Sequence, residues 1–464
     1  MTTSTHLLNR RRFLPLFITQ LFNAFNDNLY KTAMVLFVVY YVYRSEADEA
    51  YFSGVASALF ILPFVLFSAV AGQLADTRDK ARIIRTVKLC EIAIMSLGGV
   101  GLYMVWQGIA VSSLAIPILL TVLFLAGVQS TFLGPIKYAI LPQHLKKEEV
   151  LSGTGLVEAG TYVAILCGVI LAGWIPVQWA IIGILVTAIV GYFVSRQVPD
   201  APPMGETTLH LPLIEPFLTR VRNPILRALA IVPVTIADQV VMSAKLVRDT
   251  MHNREVYYAI LAISFFWTIG AVLFIQFPPL AKNQLSASPQ VASLFLVVFS
   301  IGVAIGSVGI NSLLKGTVSA RHAPFSVIVM GLFVVGFYIV ARMWAADTSG
   351  ELLDTGAFIA KPLAVPLLLM LLGIAVAGGF FVVPLYAFLT TRVASDRAAR
   401  TIAANNIVNS LAMVLGSLMA MGLTALGMSV TEQLLLSAAM CLVSAWLAKK
   451  LLVAEREAAL ASAA

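Results

Sequence analysis

The chain has 464 residues, of which 59% are hydrophobic and only 12% are charged, and its mean hydropathy is +0.91. Soluble domains carry about 25% charged residues, so this composition excludes a soluble globular protein and indicates an integral membrane protein. The apolar runs are long enough for helices and lack the roughly ten-residue alternation of an outer-membrane barrel. The net charge of +8 fits loops facing an anionic cytoplasmic leaflet and gives no reason to expect a nucleic-acid partner.

Composition also limits the chemistry that the chain can perform. Cys90, Cys167 and Cys441 lie in separate apolar runs at unrelated spacings, which indicates neither a disulfide framework nor a metal site. The first apolar run follows the arginines at 10–12 and is too long for a cleavable signal peptide. The sequence has no Gly-rich phosphate loop, nucleophile–base pair or metal cluster. We therefore predict that the protein is not an enzyme and binds no metal or cofactor.

Hydropathy predicts twelve membrane spans, and an even number places both termini on one side. With a cytoplasmic N-terminus, inner segments hold 24 of the 31 Lys and Arg residues, whereas outer segments hold four. This split predicts that both termini are cytoplasmic. The predicted spans are residues 13–43, 50–74, 83–106, 113–141, 150–173, 176–195, 256–280, 289–314, 323–344, 362–390, 400–424 and 427–448.

The longest segment outside the spans, residues 196–255, divides the chain into six spans and six spans. We predict an N-terminal half at 1–195, a cytoplasmic linker at 196–255 and a C-terminal half at 256–464. The linker opens with VPDAPPMGE, which is typical of an exposed connector. Residues 225–247 are apolar but interrupted by Arg227, Pro233, Asp238 and Lys245. A thirteenth span here would reverse the orientation of the second half and place its Lys- and Arg-rich loops on the outer side. We therefore predict an amphipathic helix, interfacial or cytoplasmic.

The first span carries a polar face. At 100° per residue, five polar side chains share an arc of about 140° with Asn23, whereas Asn28 lies off that arc. An ionisable group in lipid costs about 2.5–3.5 kcal/mol on insertion scales. The functional interpretation is the wall of a central cavity, in which Asp27 meets a cation or carries a proton. The alternative is a structural network in which Asp27 pairs with Lys31. The five other side chains of this face are Gln20, Asn26, Asp27, Tyr30 and Lys31.

Spans four and five add further ionisable groups. In STFLGPIKYAILPQHL, Lys137 and Tyr138 follow Gly134 and Pro135 about one turn from the inner surface. Lys137 either snorkels to the interface or contacts an anionic headgroup. Glu158, in LSGTGLVEAGTYVAIL, is expected to pair with Lys137 or Lys31, as a structural ion pair or as a gating charge.

The interior of the second half is polar without being charged. Trp267, within SFFWTIG, is either a packing residue or a ligand contact, and Asn405 and Asn406 open span eleven. GGFFVVPLY, residues 378–386, holds two glycines and a proline, so we predict a flexible or broken helix there. Charges on one wall and amides with aromatics on another suit an amphiphilic substrate.

The loop between spans two and three, GQLADTRDKARII, resembles the loop signature of the major facilitator superfamily. With six plus six spans, this resemblance implies an all-α membrane protein with the twelve-helix major facilitator fold: two six-helix halves related by pseudo-two-fold symmetry. Asp79 stands where the signature has its second glycine. We expect Asp76 to cap the next helix; the alternative is an ordinary basic turn. In the family this loop closes the cytoplasmic side, which implies gating roles for Gly72, Asp76, Arg78, Lys80 and Arg82.

Several longer stretches resemble the bacterial lysophospholipid transporter (LplT-type) family, above all the transporter half of proteins fused to an acyltransferase and acyl-carrier-protein synthetase. They are FITQLFNAFNDNLYKTA, GQLADTRDKARIIR, FLGPIKYAILPQHL, GLVEAGTYVAIL, FFVVPLYAF and IAANNIVNSL. The resemblance implies a flippase for lysophosphatidylethanolamine and related lysophospholipids in the bacterial inner membrane. The resemblance also implies which residues of this chain match positions in the family's motifs. They are Asn23, Asn26, Asp27, Asn28, Lys31, Lys137, Tyr138, Glu158, Asn405 and Asn406.

Two features depart from that family. The linker is longer than expected, and no histidine starts the His-x4-Asp pattern of an acyltransferase. We therefore expect any acyltransferase to be a separate chain that works with this one. The other expected partners are the lysophospholipid substrate and membrane lipids; we expect no nucleic-acid partner and a monomeric protein.

Three hypotheses of function remain at this point. The first is lysophospholipid flipping by alternating access. The second is a proton-coupled exporter of hydrophobic drugs or other amphiphiles, with Asp27 or Glu158 titrating. The third is a membrane scaffold for a lipid-modifying enzyme, which predicts that Asp27→Asn and Lys137→Ala leave lysolipid uptake unchanged.

Overall fold

The structure is a computed structural model that describes residues 7–203, 217, 224–314, 319–344, 352–391 and 398–463. Within those ranges the regular structure is helical, apart from one bridge between Ala287 and Leu353. Also within them, ten helices are long and apolar enough to cross a membrane. The helices before the linker are α1 (Leu14–Phe37), α2 (Glu46–Thr77), α3 (Lys80–Trp106), α4 (Ile116–Ala139), the short α5 (Leu141–His144), α6 (Lys147–Trp174) and α7 (Val177–Ser195).

The described residues of the linker include one long helix, and those of the second half are mainly helical. Twelve of the helices coincide with the twelve predicted spans, with ends that differ by a few residues except at the C-terminus, where the last helix continues well beyond the predicted end at residue 448. The fold is that of an all-α membrane protein. The remaining helices are α8 (Pro224–Thr250), α9 (Arg254–Pro279), α10 (Pro289–Leu314), α11 (Ala323–Met343), the short α12 (Thr355–Ala360), α13 (Ala364–Thr391), α14 (Ala398–Ala425) and α15 (Val430–Ala463).

Three π-helical turns interrupt the α-helical geometry at helix ends. Val38–Val42 follows α1, Val111–Ala115 precedes α4, and Leu280–Gln284 follows α9. A π-helical turn displaces the usual backbone hydrogen bonds and is frequent near functional sites. The first and third of these turns meet at the side chain of Lys282, which donates to the Val39 carbonyl oxygen.

The described residues form two compact units. Unit 1 holds those within Met1–Lys31, Leu62–Gly168 and Ile175–Leu246. Unit 2 holds those within Thr32–Ile61, Val169–Trp174 and Val247–Ala464. Each unit has its own buried side chains, and each contains one of the polar clusters described below. The division into halves at 195 and 256 remains a prediction.

A capping interaction fixes the start of α3 in unit 1. The Asp79 side chain accepts a hydrogen bond from the backbone N–H of Arg82 at 2.9 Å, so Asp79 is the N-cap. The prediction that Asp76 caps this helix is wrong, because α2 extends through Asp76 to Thr77. The Asp76 side chain itself lies outside the described part of the structure. The same Asp79 carboxylate accepts from the Ala201 N–H at 3.2 Å, which ties the start of the linker to this loop.

In unit 2, α10 and α13 approach each other at glycines. A Cβ atom on Gly306 would lie 2.2 Å from the carbonyl oxygen of Val376, and one on Gly379 would lie 2.6 Å from that of Val303. Helix α13 is continuous through Gly378, Gly379 and Pro384, so it is not broken there. The alternative, a flexible helix, stays a prediction. These glycines allow two backbones into direct contact, as small residues do between membrane helices.

The predicted helical segment at 225–247 is observed as α8. It is not among the described helices that are apolar enough to cross a membrane. Three polar side chains on α8 are buried: Asp238, Gln239 and Ser243.

Candidate functional site

The polar face of α1 is buried inside unit 1, and it contacts α4 through a compact hydrogen-bond network. Asp27 is only 4% exposed. The Ser130 hydroxyl on α4 donates to Asp27 Oδ2, and Asn23 Nδ2 donates to the same oxygen at 3.2 Å. Gln129 Nε2 donates to Asn23 Oδ1 at 2.9 Å. Adjacent residues of α4 thus hold Asn23 and Asp27 in fixed orientations.

The second oxygen of the Asp27 carboxylate differs from the first in its hydrogen bonding. Asp27 Oδ1 is buried and has no hydrogen-bond partner among the described residues. A buried carboxylate oxygen without a partner costs free energy unless a proton, water or ligand satisfies it. Lys31 interacts electrostatically with Asp27 and is half-buried. The arrangement can accept a hydrogen bond from an ammonium group, or hold a proton, at Oδ1.

Asn26 points toward a second network, between α1 and α3. Its Nδ2 atom donates to Glu91 Oε1 at 2.8 Å. Glu91 also forms an ion pair with Lys88, three residues earlier on α3, and both side chains are fully buried. Gly191 on α7 makes room for this lysine, because a Cβ atom there would lie 3.0 Å from Lys88 Cε. The network therefore places a closed ion pair beside the Asp27 site.

Two other residues of the α1 motif have backbone partners. The Tyr30 hydroxyl is fully buried and donates to the Leu119 carbonyl oxygen at 2.9 Å. Asn28 Nδ2 donates to the Ala24 carbonyl oxygen of its own helix at 2.8 Å, consistent with its position off the polar arc.

An ion pair joins the N-terminal ends of α1 and α6. Both carboxylate oxygens of Glu149 accept from Arg12 Nη2, each at 2.7 Å, and Oε2 also accepts from the Lys146 N–H at 2.9 Å. The hydrogen bond from the Lys146 backbone and the charge of Arg12 lower the pKa of Glu149 from its ordinary value of 4.5. This contribution to stability is present above the ordinary pKa and is lost as pH falls through the lowered pKa.

We expect Glu149→Gln to remove part of this acid sensitivity. Near neutral pH the variant has a lower apparent Tm than the wild type, and the difference shrinks as pH falls below about 4.5. Thermal unfolding of the detergent-solubilised protein across that pH range measures both values. A difference in Tm that stays constant with pH contradicts the assignment.

Unit 2 contains a cluster of amides and aromatic rings. Trp267 Nε1 donates to the Tyr386 hydroxyl at 2.9 Å, and Asn409 Nδ2 donates to the same oxygen at 3.2 Å. The Ser264 hydroxyl donates to Asn409 Oδ1 at 2.7 Å. Asn405 is fully buried. Trp267 thus has a polar partner as well as the edge-to-face contact with its neighbour Phe266.

The position of Asn406 differs from that of Asn405. Asn405 Nδ2 contacts Asn406 Oδ1 at 3.5 Å, and the rest of the Asn406 side chain is exposed. The predicted pair therefore offers one buried amide and one accessible amide.

A lysine in unit 2 connects the ends of three helices. Lys282, in the π-helical turn after α9, donates to Glu49 Oε1 at 2.5 Å and to the carbonyl oxygens of Val39 and Tyr43 at 2.6 and 3.0 Å. Asn283 Nδ2 donates to Glu49 Oε2 at 2.5 Å, and Glu49 is fully buried. We call Lys282, Asn283 and Glu49 the lysine clasp. Periodicity within the predicted spans gave no sign of this clasp, because Lys282 and Glu49 were both assigned to loops.

We expect Lys282→Met to destabilise the protein by about 1–3 kcal/mol, the cost of leaving a buried charged acceptor without its main donor. Asn283 still satisfies one oxygen of Glu49. The apparent Tm in detergent reports the loss, and Lys282→Met combined with Glu49→Gln recovers part of it. Arg342→Gln, at an exposed position in the last turn of α11, is the matched control with little effect. Equal Tm values for Lys282→Met and Arg342→Gln contradict the clasp.

The structure describes only some of the remaining predicted residues. The side chains of Tyr138 and Glu158 fall outside the described part of the structure, so the pairing predicted for Glu158 is untested. Lys137 is half-buried in the last turn of α4. Among the proposed gating residues, Gly72 has open space around it, Arg78 and Arg82 are exposed, and Lys80 is buried with its N–H bonded to the Ala201 carbonyl oxygen.

Membrane-length helices with polar clusters in their buried faces define a multi-pass membrane protein of the transporter class. The sequence model of the Major Facilitator Superfamily matches residues 16–417. The chain belongs to this superfamily, and the predicted fold class is confirmed.

Among curated proteins the chain is similar to bacterial transporters. It is 24% identical over 451 residues to "Lysophospholipid transporter LplT" of Klebsiella pneumoniae, covering 93% of each chain. The protein of the same name from Cronobacter sakazakii is 23% identical over 419 residues, with 87% of each chain covered. The resemblance identified from the sequence motifs therefore extends over most of the chain.

Solved structures are similar in fold at low sequence identity. A D-xylose-proton symporter has a TM-score of 0.64 at 12% identity, covering 94% of this chain and 96% of the other. A bacterial homologue of the iron transporter ferroportin, in an inward-facing state, has a TM-score of 0.61 at 13% identity, covering 96% and 99%. These likenesses concern the fold alone.

Proposed function

We propose that this protein carries lysophospholipids across the bacterial inner membrane by alternating access, with lysophosphatidylethanolamine among its substrates. Both termini are cytoplasmic in this proposal, as the distribution of Lys and Arg predicts. The observation that carries the proposal is the similarity to lysophospholipid transporters along 87–93% of the chain.

The chemistry of the two clusters supports the same proposal. A lysophosphatidylethanolamine headgroup carries an ammonium group, which requires an acceptor, and a phosphate, which requires donors. In unit 1, Asp27 Oδ1 is a buried acceptor without a partner among the described residues, and Lys31 lies within electrostatic range of the same carboxylate. In unit 2, amides and aromatic rings provide a polar but uncharged surface.

Uptake of labelled lysophosphatidylethanolamine tests the proposal directly. Spheroplasts that lack their own lysophospholipid transporter are complemented with this chain, and the labelled lipid is followed into the membrane. The expected result is uptake above that of cells carrying an empty vector. Expression of the chain at the membrane without any such increase overturns the proposal.

The second candidate is a proton-coupled exporter of hydrophobic drugs or other amphiphiles. Asp27 Oδ1 has no hydrogen-bond partner within the described part of the chain, and this favours the exporter, because that oxygen can hold a proton as well as accept from an ammonium. Reconstituted protein distinguishes the two candidates. Lysolipid movement without a proton gradient supports the flippase, whereas drug export that strictly requires the gradient, with no lysolipid movement, supports the exporter.

We expect Asp27→Asn to reduce lysophosphatidylethanolamine uptake about 10- to 100-fold, which corresponds to about 1.5–3 kcal/mol for losing a charged hydrogen bond. The asparagine keeps an oxygen for Ser130 but removes the charge that the ammonium group requires. The measurement is initial uptake rate, normalised to protein in the membrane.

The matched control is Thr121→Ala on α4. The Thr121 hydroxyl is exposed and donates only to the Pro117 carbonyl oxygen of its own helix among its described bonds. This variant should take up lysolipid at the wild-type rate. Equal rates for Asp27→Asn and Thr121→Ala contradict the role of Asp27, as the scaffold hypothesis predicts.

A further inference from the structure

The linker helix α8 has an unusual distribution of polar and apolar residues over its described C-terminal part. Its buried side includes Asp238 and Gln239, both fully buried, and Ser243. The side-chain amide of Gln239 and the hydroxyl of Ser243 have no hydrogen-bond partner among the described residues. A helix on a water-soluble surface buries its apolar stripe and exposes its polar one. Over these residues α8 does the opposite.

The exposed side of the same segment is apolar. Ala237, Val240, Val241 and Ala244 are all exposed, Val240 by 49% and Val241 by 45%. Their spacing of three, four and seven residues places them on one face of a helix, opposite the buried polar residues. Such a stripe is unfavourable in water and favourable against acyl chains.

The exposed side changes character at its C-terminal end. Lys245 is exposed, and the side chains of Arg248 and Asp249 are 81% and 59% exposed. Basic residues that follow an apolar stripe reach the phosphate level of a bilayer, where they attract anionic headgroups. An amphipathic helix of this kind lies parallel to the membrane surface, with its apolar side about 5–10 Å into the boundary between headgroups and acyl chains. The stripe from 237 to 244 therefore lies within a single leaflet.

From these three observations we propose that α8 is seated in one leaflet of the bilayer. Ala237, Val240, Val241 and Ala244 contact acyl chains, and Lys245 and Arg248 lie at the headgroups. By the predicted topology this is the cytoplasmic leaflet. This placement differs both from a helix in the cytoplasm and from a thirteenth membrane span. It concerns the linker alone and does not depend on the transported substrate.

Fluorescence quenching tests this placement. The full chain, with Cys90, Cys167 and Cys441 replaced by serine, receives a single cysteine as Val240→Cys, Val241→Cys or Arg248→Cys. Each variant is labelled with an environment-sensitive dye and reconstituted into vesicles of phosphatidylethanolamine and phosphatidylglycerol. Iodide quenches dyes in water, and lipids with a nitroxide on the acyl chain quench dyes in hydrocarbon. All three labelled positions are exposed, so a cysteine at any of them leaves buried contacts intact. Cys441 is buried, so size-exclusion chromatography verifies that the serine background and each variant are folded.

The expected result is a contrast between positions. Dyes at 240 and 241 are quenched at least severalfold more by nitroxide lipids than the dye at 248, which iodide quenches instead. A nitroxide attached near the headgroup quenches the dye at 240 more strongly than a nitroxide attached at the end of the acyl chain. Iodide quenching at 240 equal to that at 248 overturns the proposal. Stronger quenching from the chain end indicates a spanning helix, and resistance to both quenchers indicates a covering protein; each also overturns it.

Discussion

Lys88→Met is expected to lower the free energy of unfolding by about 3–5 kcal/mol, because it leaves a buried glutamate without its counter-ion. Lys88 and Glu91 are both fully buried in α3, and among the described residues Glu91 then retains only the Asn26 amide as a donor. Withdrawing an ion from water costs several kcal/mol, and the attraction between the partners offsets that cost. Unfolding in mixed micelles with increasing dodecyl sulfate measures the difference, and thermal unfolding gives its direction.

The matched control is the double variant Lys88→Met with Glu91→Gln. Glutamine keeps an oxygen for Asn26 and removes the unpaired charge, so stability should return close to that of the wild type. This outcome follows because replacing both members of a buried ion pair is often neutral, whereas removing one is costly. If Lys88→Met is as stable as the double variant, Glu91 is not an isolated buried charge, and the assigned pairing is wrong.

Helical periodicity was sufficient to predict the polar face of α1. Asn23, Asn26 and Asp27 lie on the buried side because a side chain on a regular helix follows 100° steps. Periodicity could not predict which side chains of α4 bond to this face. Gln129 and Ser130 are common residues in an apolar run, and no local pattern distinguishes a residue that bonds another helix from one that bonds its own backbone.

The ion pair in α3 did leave a signal in the sequence. Lys88 and Glu91 are opposite charges three residues apart inside an apolar run, a spacing that brings side chains together on a helix. The predicted span at 83–106 contains both residues, but no pairing between them was predicted. The contact of Asn26 with Glu91 spans 65 residues, and such distant pairings depend on how helices associate.

The wrong predictions of a cap at Asp76 and of a broken helix in α13 have one cause. Asp76 and Asp79 are equally suitable caps by residue type, and the end of α2 decides which one occupies the N-cap position. Glycines are equally compatible with a broken helix and with close helix contact, and only the neighbour at Gly379 shows that the contact is made. Residue type limits the options, and tertiary contacts select among them.

The second large effect is expected at the contact of α10 with α13. Gly306→Ala places a methyl group 2.2 Å from the backbone oxygen of Val376, an atom that cannot rotate away. Overpacking costs about 1–3 kcal/mol where side chains can adjust. We expect a loss at or above about 3 kcal/mol here, because the helices must separate. Alanine gains about 0.5–1 kcal/mol over glycine in a helix, which is too little to offset that loss.

Gly422→Ala in α14 is the matched control for this prediction. A Cβ atom on Gly422 meets no atom within 4 Å, so only the helix-propensity gain applies, and stability should rise by about 0.5–1 kcal/mol. Gly379→Ala should resemble Gly306→Ala, since its Cβ atom would lie 2.6 Å from the Val303 carbonyl oxygen. The test is the sign of the change in apparent Tm: negative for Gly306 and Gly379, and positive for Gly422. An increase in Tm for all three variants would mean that α10 and α13 are not in backbone contact, and that the glycines of α13 serve the flexibility first predicted from their sequence.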